Sequence, residues 1–480
     1  MITASGERTI IFPPAGSGSK GDEGMLRGAL RLFPAEEVVV INPEVRTWRG
    51  EIDDVCEFDE VYYDQKNYKD LIGGDTTVVF VGADVIDGSA GIPGSLLRLD
   101  AVEMSMDAGA RVFVFFSYRS DIDSEIKSRL EKLTKSPRIY FFLRDESSLE
   151  RFQASYQCGN SYFFPDLAFF SCEIDAYTEK RLQDGRKFTI GLNFSEQSFR
   201  ATRAEINDEN RRFYIKEHID AIVSVFPDAN FCLIANDIRM WHGFWSDYDY
   251  AVECQSILAG LNIVGEVGVI SPIASYENNI QALRTVGILI AGRMHLAIAS
   301  FIAWTLPIVV TGKSFESKED LKQRGMYDKA AGMLEWCFGR SDCVVTSSLE
   351  LRALLEDVRA NRAFWQQQIS DNRIILQRKI KASLDELRGK YSRTASGPSH
   401  DAKIASSVFA ALKSEKFDLE IERRNNLQEL EIRGLYIRHL QEELHAIKNS
   451  VEDSCGLEFG IQKPLSAREF PTASLGENQE

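Results

Sequence analysis

The stretch Gly287–Thr311, GILIAGRMHLAIASFIAWTLPIVVT, decides the fold. Gly287–Ala291 is a short apolar run of β-type residues. Met294–Trp304 has helical length and apolar residues on every side, and Ile308–Thr311 is a second β-branched run. A buried strand, a buried helix and another buried strand are the parts of a parallel sheet covered on both faces. The apolar content from Val286 to Val310 invites a membrane reading, but Arg293 and His295 lie inside the stretch and Pro307 interrupts it. Charge at that depth is expensive in lipid, so a soluble α/β core explains the pattern better.

The same alternation continues outward. Toward the N-terminus, Phe188–Phe194, Asn230–Asn236, Asn262–Val264 and Val267–Ile270 read as strands, with helices over Asn210–Phe226 and Glu277–Arg284. Earlier still, Thr9–Phe12, Glu37–Asn42, Thr76–Gly82, Arg111–Ser117 and Arg138–Leu143 form another strand series, with helices at Asp22–Leu32 and Glu146–Ser155. Two tandem α/β domains are therefore expected, residues 1–180 and 181–347, joined near Ala176–Arg186. Ligands of open α/β sheets bind beyond the carboxyl ends of the strands, which points to a cleft between the two. Residues 348–393 read as a charged helical segment, 394–450 as a linker and an amphipathic helix, and 451–480 as a flexible tail. In that helix Leu430, Ile437 and Leu444 are spaced by seven, which leaves open both packing on its own chain and homo-oligomerisation. His439 and His445 lie on its charged surface.

The chain has 480 residues, enough for more than one core, and a formal net charge of −16. Such a surface repels nucleic acid and anionic lipid, while a small anionic ligand needs only a few local cations. The eight cysteines show neither a CxxC pair nor zinc-ligand spacing, and no histidine pair has the HxxxH form, so reduced thiols and no metal are expected. The N-terminus lacks the basic-then-apolar form of a signal peptide. A cytoplasmic protein is expected, with peripheral contact at the inner face of the membrane if its substrate is lipid-linked.

Four segments could carry chemistry. Gly16–Leu26, GSGSKGDEGML, lies between a strand and a helix, where Gly18 and Gly21 let the backbone approach a ligand and the helix N-terminus favours negative charge. It is neither a Walker A loop nor a strict GxGxxG, and Asp22 and Glu23 fit helix capping as well as function. Arg293 and His295 follow a strand end, where a buried Arg implies an anionic partner. Lys318 in Lys313–Lys318 offers a further cation or a solvated loop residue. Arg144 and Asp145 open a helix after a strand, Asp145 in a capping position. Trp241, Trp245, Tyr248 and Tyr250 around Asp247 and Asp249 suit either a sugar contact or a packed loop.

Together these segments resemble the polysaccharide pyruvyl transferase family. Gly21-Asp22-Glu23 resembles its "GDE" segment, Val81–Asp84 its glycine-rich strand end, Leu143–Leu149 its "VRDxxS", Pro165–Phe169 its "PDpaF", Ala291–Ala299 its "gmRlHaliFA" and Ser314–Lys318 its "sYDpK". The likeness runs from about residue 9 to 330. It implies an α/β fold of two Rossmann-like doubly wound domains facing across a cleft (GT-B-like), with the C-terminal helical extension outside it. It also implies transfer of the enolpyruvyl group of phosphoenolpyruvate onto two hydroxyls of a sugar, as a pyruvate ketal, with no cofactor beyond that donor. The acceptor would be a sugar or glycan, free or lipid-linked, in exopolysaccharide synthesis. In this scheme Arg293 and Lys318 bind the donor anion, His295 acts as general acid/base, and Asp22 orients or deprotonates the acceptor hydroxyl. Many relatives carry an arginine just after the first strand of the second domain, where this chain reads Gly191-Leu192-Asn193-Phe194-Ser195. A glycine-proline turn of the family is replaced by Ser117-Tyr118-Arg119-Ser120, which turns Arg119 into a candidate cleft residue. The competing readings are a GT-B glycosyltransferase using a nucleotide sugar and a catalytically silent scaffold.

Overall fold

The computed structural model describes residues 8–14, 17–43, 47–82, 86–88, 91–119, 122–172, 188–200, 205–239, 244–261, 263–272, 274–311 and 326–394. Lys318, the histidines His439 and His445, and the amphipathic helix expected after residue 394 lie outside them.

The first sheet contains β1 (Arg8–Phe12), β2 (Glu37–Asn42), β3 (Asp59–Tyr62), β4 (Thr77–Val81), β5 (Arg111–Phe116), β6 (Ile139–Leu143) and β7 (Ser161–Phe163). The strands are parallel, in the order β3-β2-β1-β4-β5-β6-β7. The helices between them are α1 (Lys20–Leu32), α2 (Gln65–Leu71), α3 (Ile92–Asp107), α4 (Ser124–Leu133) and α5 (Glu146–Tyr156), and a 3-10 turn spans Leu167–Phe170. The second sheet contains β8 (Thr189–Asn193), β9 (Asn230–Leu233), β10 (Val267–Val269), β11 (Ile288–Ala291), β12 (Leu306–Val310) and β13 (Val344–Val345), all parallel, in the order β10-β9-β8-β11-β12-β13. Its helices are α6 (Glu196–Arg200), α7 (Asp208–Val225), α8 (Asp247–Gly260), α9 (Tyr276–Leu283), α10 (Met294–Ala303) and α11 (Met326–Phe338), and α12 (Ser348–Ala360) and α13 (Arg362–Thr394) follow. Each sheet therefore has the doubly wound form, with strand order reversing between β1 and β4 and between β8 and β11. Ligands of such sheets bind beyond the carboxyl ends of the strands beside the reversal, which here are followed by the loops after β1, β8 and β11.

The sequence dictates this locally. Every residue of β4 and β5 is buried, as strands covered on both faces require. In α10 every residue from Leu296 to Ala303 is buried, and Trp304 ends the helix in a left-handed conformation at φ 60°. Pro307 is tolerated in β12 because alternate residues of a parallel strand bond to opposite neighbours. Leu306 N donates to Gly287 O on the β11 side and Val309 N to Cys343 O on the other, so the missing Pro307 N–H faces ground the short β13 does not reach. Among the described residues no helix is long and apolar enough to cross a membrane.

One expected strand does not form. Asn262 lies outside the described residues, Ile263 is in no strand, and Val264 lies in a bend and is exposed. A Cβ on Gly265 would fall 1.8 Å from Ala229 O, so the chain is turned tightly against the preceding loop before β10 begins.

Candidate active site

The carboxyl ends of the two sheets meet at the glycine loop. Lys20 N donates to Asn236 O at 2.7 Å, and Ile238 N donates to Gly18 O at 2.9 Å. Gly18 holds φ at 99°, a conformation that favours glycine. The loop after β1 is thus hydrogen-bonded to the loop after β9. Three glycines on α1 allow close approach, two of them to helices of the second sheet and the third to the 3-10 turn. A Cβ on Gly21 would stand 2.4 Å from His295 Nδ1, one on Gly24 would stand 2.6 Å from the Tyr276 ring, and one on Gly28 would stand 1.9 Å from Leu167 O. Between them Glu23, fully buried, accepts from Tyr276 N at 3.1 Å and pairs with Arg27 at 2.8 Å and Lys20 at 3.3 Å. Glu23 is therefore structural, tying α1 to α9.

His295 enters this contact from the first turn of α10. Tyr276 Oη donates to its backbone carbonyl at 2.9 Å, which fixes the root of the side chain. Its Nε2 lies 3.4 Å from Asp166, without the alignment of a hydrogen bond. Asp166 caps the 3-10 turn through Ala168 N at 3.0 Å and accepts from Arg144 at 3.2 Å. Burial opposes ionisation of Asp166, but the neighbouring His295 and Arg144 outweigh it and hold the carboxyl at about 2. Asp145 caps α5 by accepting from Ser148 N. A narrow crevice beside this pair is walled by Arg144, Asp145, Asp166, Phe169, Met294 and Trp336, residues from both halves of the chain.

Arg293 is the N-cap residue of α10 and makes no side-chain capping bond. Its Nη2 reaches Asp247 at 2.8 Å and its Nε reaches the same oxygen at 3.1 Å. Asp247 is fully buried and also accepts from Asn193 Nδ2, Asn236 N and Asp237 N, so it is a fixed seat for the guanidinium. The anionic partner implied by a buried Arg is thus a protein carboxylate. The remaining Nη1 points to Gln197 at 3.4 Å and Asp237 at 3.6 Å. Arg239 repeats the arrangement. Its Nε and Nη2 fork onto Asp237 at 2.9 and 2.8 Å, and its Nη1 crosses to Asp22 at 3.3 Å. Asp22 is not the helix cap; Ser19 is, accepting from Asp22 N. Burial raises the Asp22 carboxyl above its ordinary value, Asp237 adds to the rise, and Arg239 and His295 oppose it.

Of the residues singled out from sequence, Asp22, Gly18, Gly21, Arg293 and His295 come together at the meeting of the two sheets, and Arg144 joins them through Asp166. Arg119 follows β5 on the same edge of the first sheet, with a buried Nε that has no hydrogen-bond partner. Trp241 lies outside the described residues, and the described part of the aromatic-acidic segment is packed: Tyr248 and Tyr250 are buried, Trp245 lies edge-on to Tyr250, and Asp249 closes a capping box with Ser246. Sequence reading passed over Arg239, Asp237 and Tyr276. Asp237 follows the apolar run Asn230–Asn236 much as Arg293 follows Gly287–Ala291, a signal present in the sequence. Among the described residues no group of three His, Cys, Asp or Glu side chains could hold a metal ion.

The architecture is shared with solved structures. HepE from Anabaena, crystallised in complex with UDP, is 9% identical over 81% of this chain and 100% of its own, with a TM-score of 0.50. A glycosyltransferase from Rickettsia africae is 11% identical over 82% of this chain and 100% of its own, with a TM-score of 0.51. At such identities the likeness shows the fold alone, a GT-B-like pair of parallel-sheet domains. No curated protein sequence matches the chain. The family model for polysaccharide pyruvyl transferase matches residues 23–305, more than half of the chain, and its span contains Arg144, Asp166, Arg293 and His295. With sequence motifs, fold and family model in agreement, the chain belongs to the polysaccharide pyruvyl transferase family.

Proposed function

We propose that this protein transfers the enolpyruvyl unit of phosphoenolpyruvate to two hydroxyls of a sugar, closing a pyruvate ketal and releasing phosphate. The observation that carries the reading is the placement of an arginine and an imidazole at the start of α10, opposite Asp22 across the meeting of the two sheets. Arg293 Nη1 and the uncapped N-terminus of α10 attract the donor's carboxylate or phosphate. A proton delivered to the donor's methylene carbon makes the methyl group and leaves a cation at the phosphate-bearing carbon, which one sugar hydroxyl attacks. The carbon–oxygen bond to phosphate then breaks, and the second hydroxyl closes the ring. Of the two hydroxyl protons, one replaces that spent on the methylene and the other leaves with phosphate. In this reading His295 moves the proton and Asp22 accepts one from the acceptor hydroxyl. Lys318 remains a candidate second donor contact.

Phosphate release from phosphoenolpyruvate with a panel of sugar acceptors tests this. Acceptor-dependent release that is lost in His295→Ala supports the reading. Near-normal turnover in that variant would remove His295 from the mechanism. No release with any acceptor, with stabilisation by a nucleotide sugar instead, would point to glycosyl transfer.

A further inference from the structure

We infer that Asp166 is a positioning residue for His295, holding the ring's hydrogen on Nε2 and leaving Nδ1 as the nitrogen that exchanges a proton with the substrate. The inference rests on the pyruvyl transfer reading for what Nδ1 does, but the choice of nitrogen follows from the geometry. A carboxylate oxygen of Asp166 lies 3.4 Å from His295 Nε2. That nitrogen is buried and has no hydrogen-bond partner, whereas the side chain as a whole is 17% exposed. Nε2 is therefore not the atom that a substrate meets. Gly21 faces the other nitrogen: a Cβ at that position would stand 2.4 Å from Nδ1. A larger residue there would cover it, so glycine keeps the Nδ1 side of the ring clear.

The chemistry of the pair decides where the hydrogen sits. Asp166 is itself seated: one oxygen accepts from Ala168 N at 3.0 Å, and the other, the one near the ring, accepts from Arg144 at 3.2 Å. Burial opposes its charge, but His295 and Arg144 outweigh that and hold the carboxyl at about 2, so near neutral pH it offers only lone pairs. A bare Nε2 would set its own lone pair against this anion, whereas a protonated Nε2 sets a donor there. Asp22 also feels the charge of the ring, but its own contact is with Arg239 at 3.3 Å, and Arg293 beside the ring in sequence is seated on Asp247. At 3.4 Å the pair is longer than a finished hydrogen bond, as catalytic hydrogen bonds often are before substrate binds. Asp166 follows the last strand of the first sheet and His295 opens a helix of the second, so the ring is oriented where the two halves meet.

The test reads the nitrogen first and the rate second. Full-length protein carrying a heavy nitrogen isotope in its histidines is observed by NMR at a pH where the imidazole is neutral, and the His295 signals are those missing from His295→Gln. The two ring nitrogens of the neutral form differ in shift according to which bears the hydrogen. Wild type should carry it on Nε2. In Asp166→Asn the side-chain oxygen can still accept from Ala168 N while the amide turns a donor toward the ring, so the hydrogen should move to Nδ1. Acceptor-dependent phosphate release from phosphoenolpyruvate by that variant should then lose kcat on the order of a thousandfold, with KM for phosphoenolpyruvate changed by less than about threefold. Asp166→Glu, which restores a carboxylate, should recover about tenfold or more of that loss. Circular dichroism confirms that the variants are folded, and the wild-type spectrum needs no Asp166 variant at all. Hydrogen on Nδ1 in wild type overturns the inference whatever the rates. Hydrogen on Nε2 with kcat of Asp166→Asn within about threefold of wild type overturns it too, because the carboxylate would then orient nothing that the reaction uses. Hydrogen on Nε2 in a wild-type protein that releases no phosphate from phosphoenolpyruvate with any acceptor sinks the pyruvyl transfer reading and leaves the choice of nitrogen standing.

Discussion

Gly21→Ala separates a packed helix contact from a catalytic one. An ideal Cβ at position 21 falls 2.4 Å from Nδ1, 2.6 Å from Cγ and 2.7 Å from Cβ of His295, whereas ordinary contact begins near 3.4 Å. The imidazole must retreat by roughly 1 Å. Its root cannot follow, because the His295 carbonyl is held by Tyr276 and the rest of α10 is buried. The ring therefore turns away from Asp166 and from the Asp22 side of the cleft. A misplacement of about 1 Å costs on the order of a hundredfold in rate, or about 2.7 kcal/mol of barrier. Stability should fall as well, because turning the ring does not relieve the 2.7 Å approach to His295 Cβ. Overpacking costs about 1–3 kcal/mol, and replacing Gly in a helix returns up to about 1 kcal/mol. The assay is acceptor-dependent phosphate release beside a thermal melt. The expected variant still folds, melts a few degrees below wild type and has kcat reduced about a hundredfold. A folded Gly21→Ala protein with kcat within about threefold of wild type would refute the reasoning, because the ring contact would then have no bearing on catalysis.

The neighbouring glycine should behave in the opposite sense. In Gly28→Ala the new Cβ meets Leu167 O at 1.9 Å, a backbone atom that cannot swing aside; a loss of about 3 kcal/mol or more is expected, read as a lowered midpoint in urea. Asp247→Ala strips Arg293 of its seat and leaves buried charge unpaired, so stability should fall by about 3–5 kcal/mol and donor affinity should fall with it. Asp166 gives a pH signature. Its carboxyl sits at about 2 when folded against an ordinary 3.8, so the charged form stabilises the native state by about 2 kcal/mol. That contribution is complete above pH of about 4 and disappears as pH falls toward about 2. The stability difference between wild type and Asp166→Asn, measured by urea unfolding, should shrink across that window; a difference independent of pH would place the Asp166 contacts elsewhere.

Much of the fold was legible because parallel strands buried on both faces announce themselves as apolar runs, as in Val78–Val81 and Val112–Phe116. The strands that escaped notice are those whose sequence carries little such signal. β3 (DEVY) and β7 (SYF) are edge strands of three or four residues, and β13 has two. A short edge strand needs no apolar run because only one neighbour pairs with it. The site was legible where a charge interrupted an apolar segment, as at Arg293 and His295. It was not legible where charges were satisfied by partners far along the chain. Nothing local to Asp247 says that Arg293, 46 positions away, rests on it. Nothing local to Asp22 says that Arg239, 217 positions away, completes it. The roles of Gly24 and Gly28 likewise depend on Tyr276 and Leu167 arriving from other elements.

The most direct measurement follows the carbon skeleton itself. The protein is incubated with phosphoenolpyruvate isotopically labelled at its phosphate-bearing carbon and with a panel of sugars and glycans, and the products are read by carbon NMR and mass spectrometry. Pyruvyl transfer predicts a labelled ketal carbon bonded to two sugar oxygens, formed with one equivalent of phosphate and absent when Arg293 is replaced by Ala. Label recovered only as unreacted donor or free pyruvate across the whole panel, from a protein that binds the donor, would contradict it.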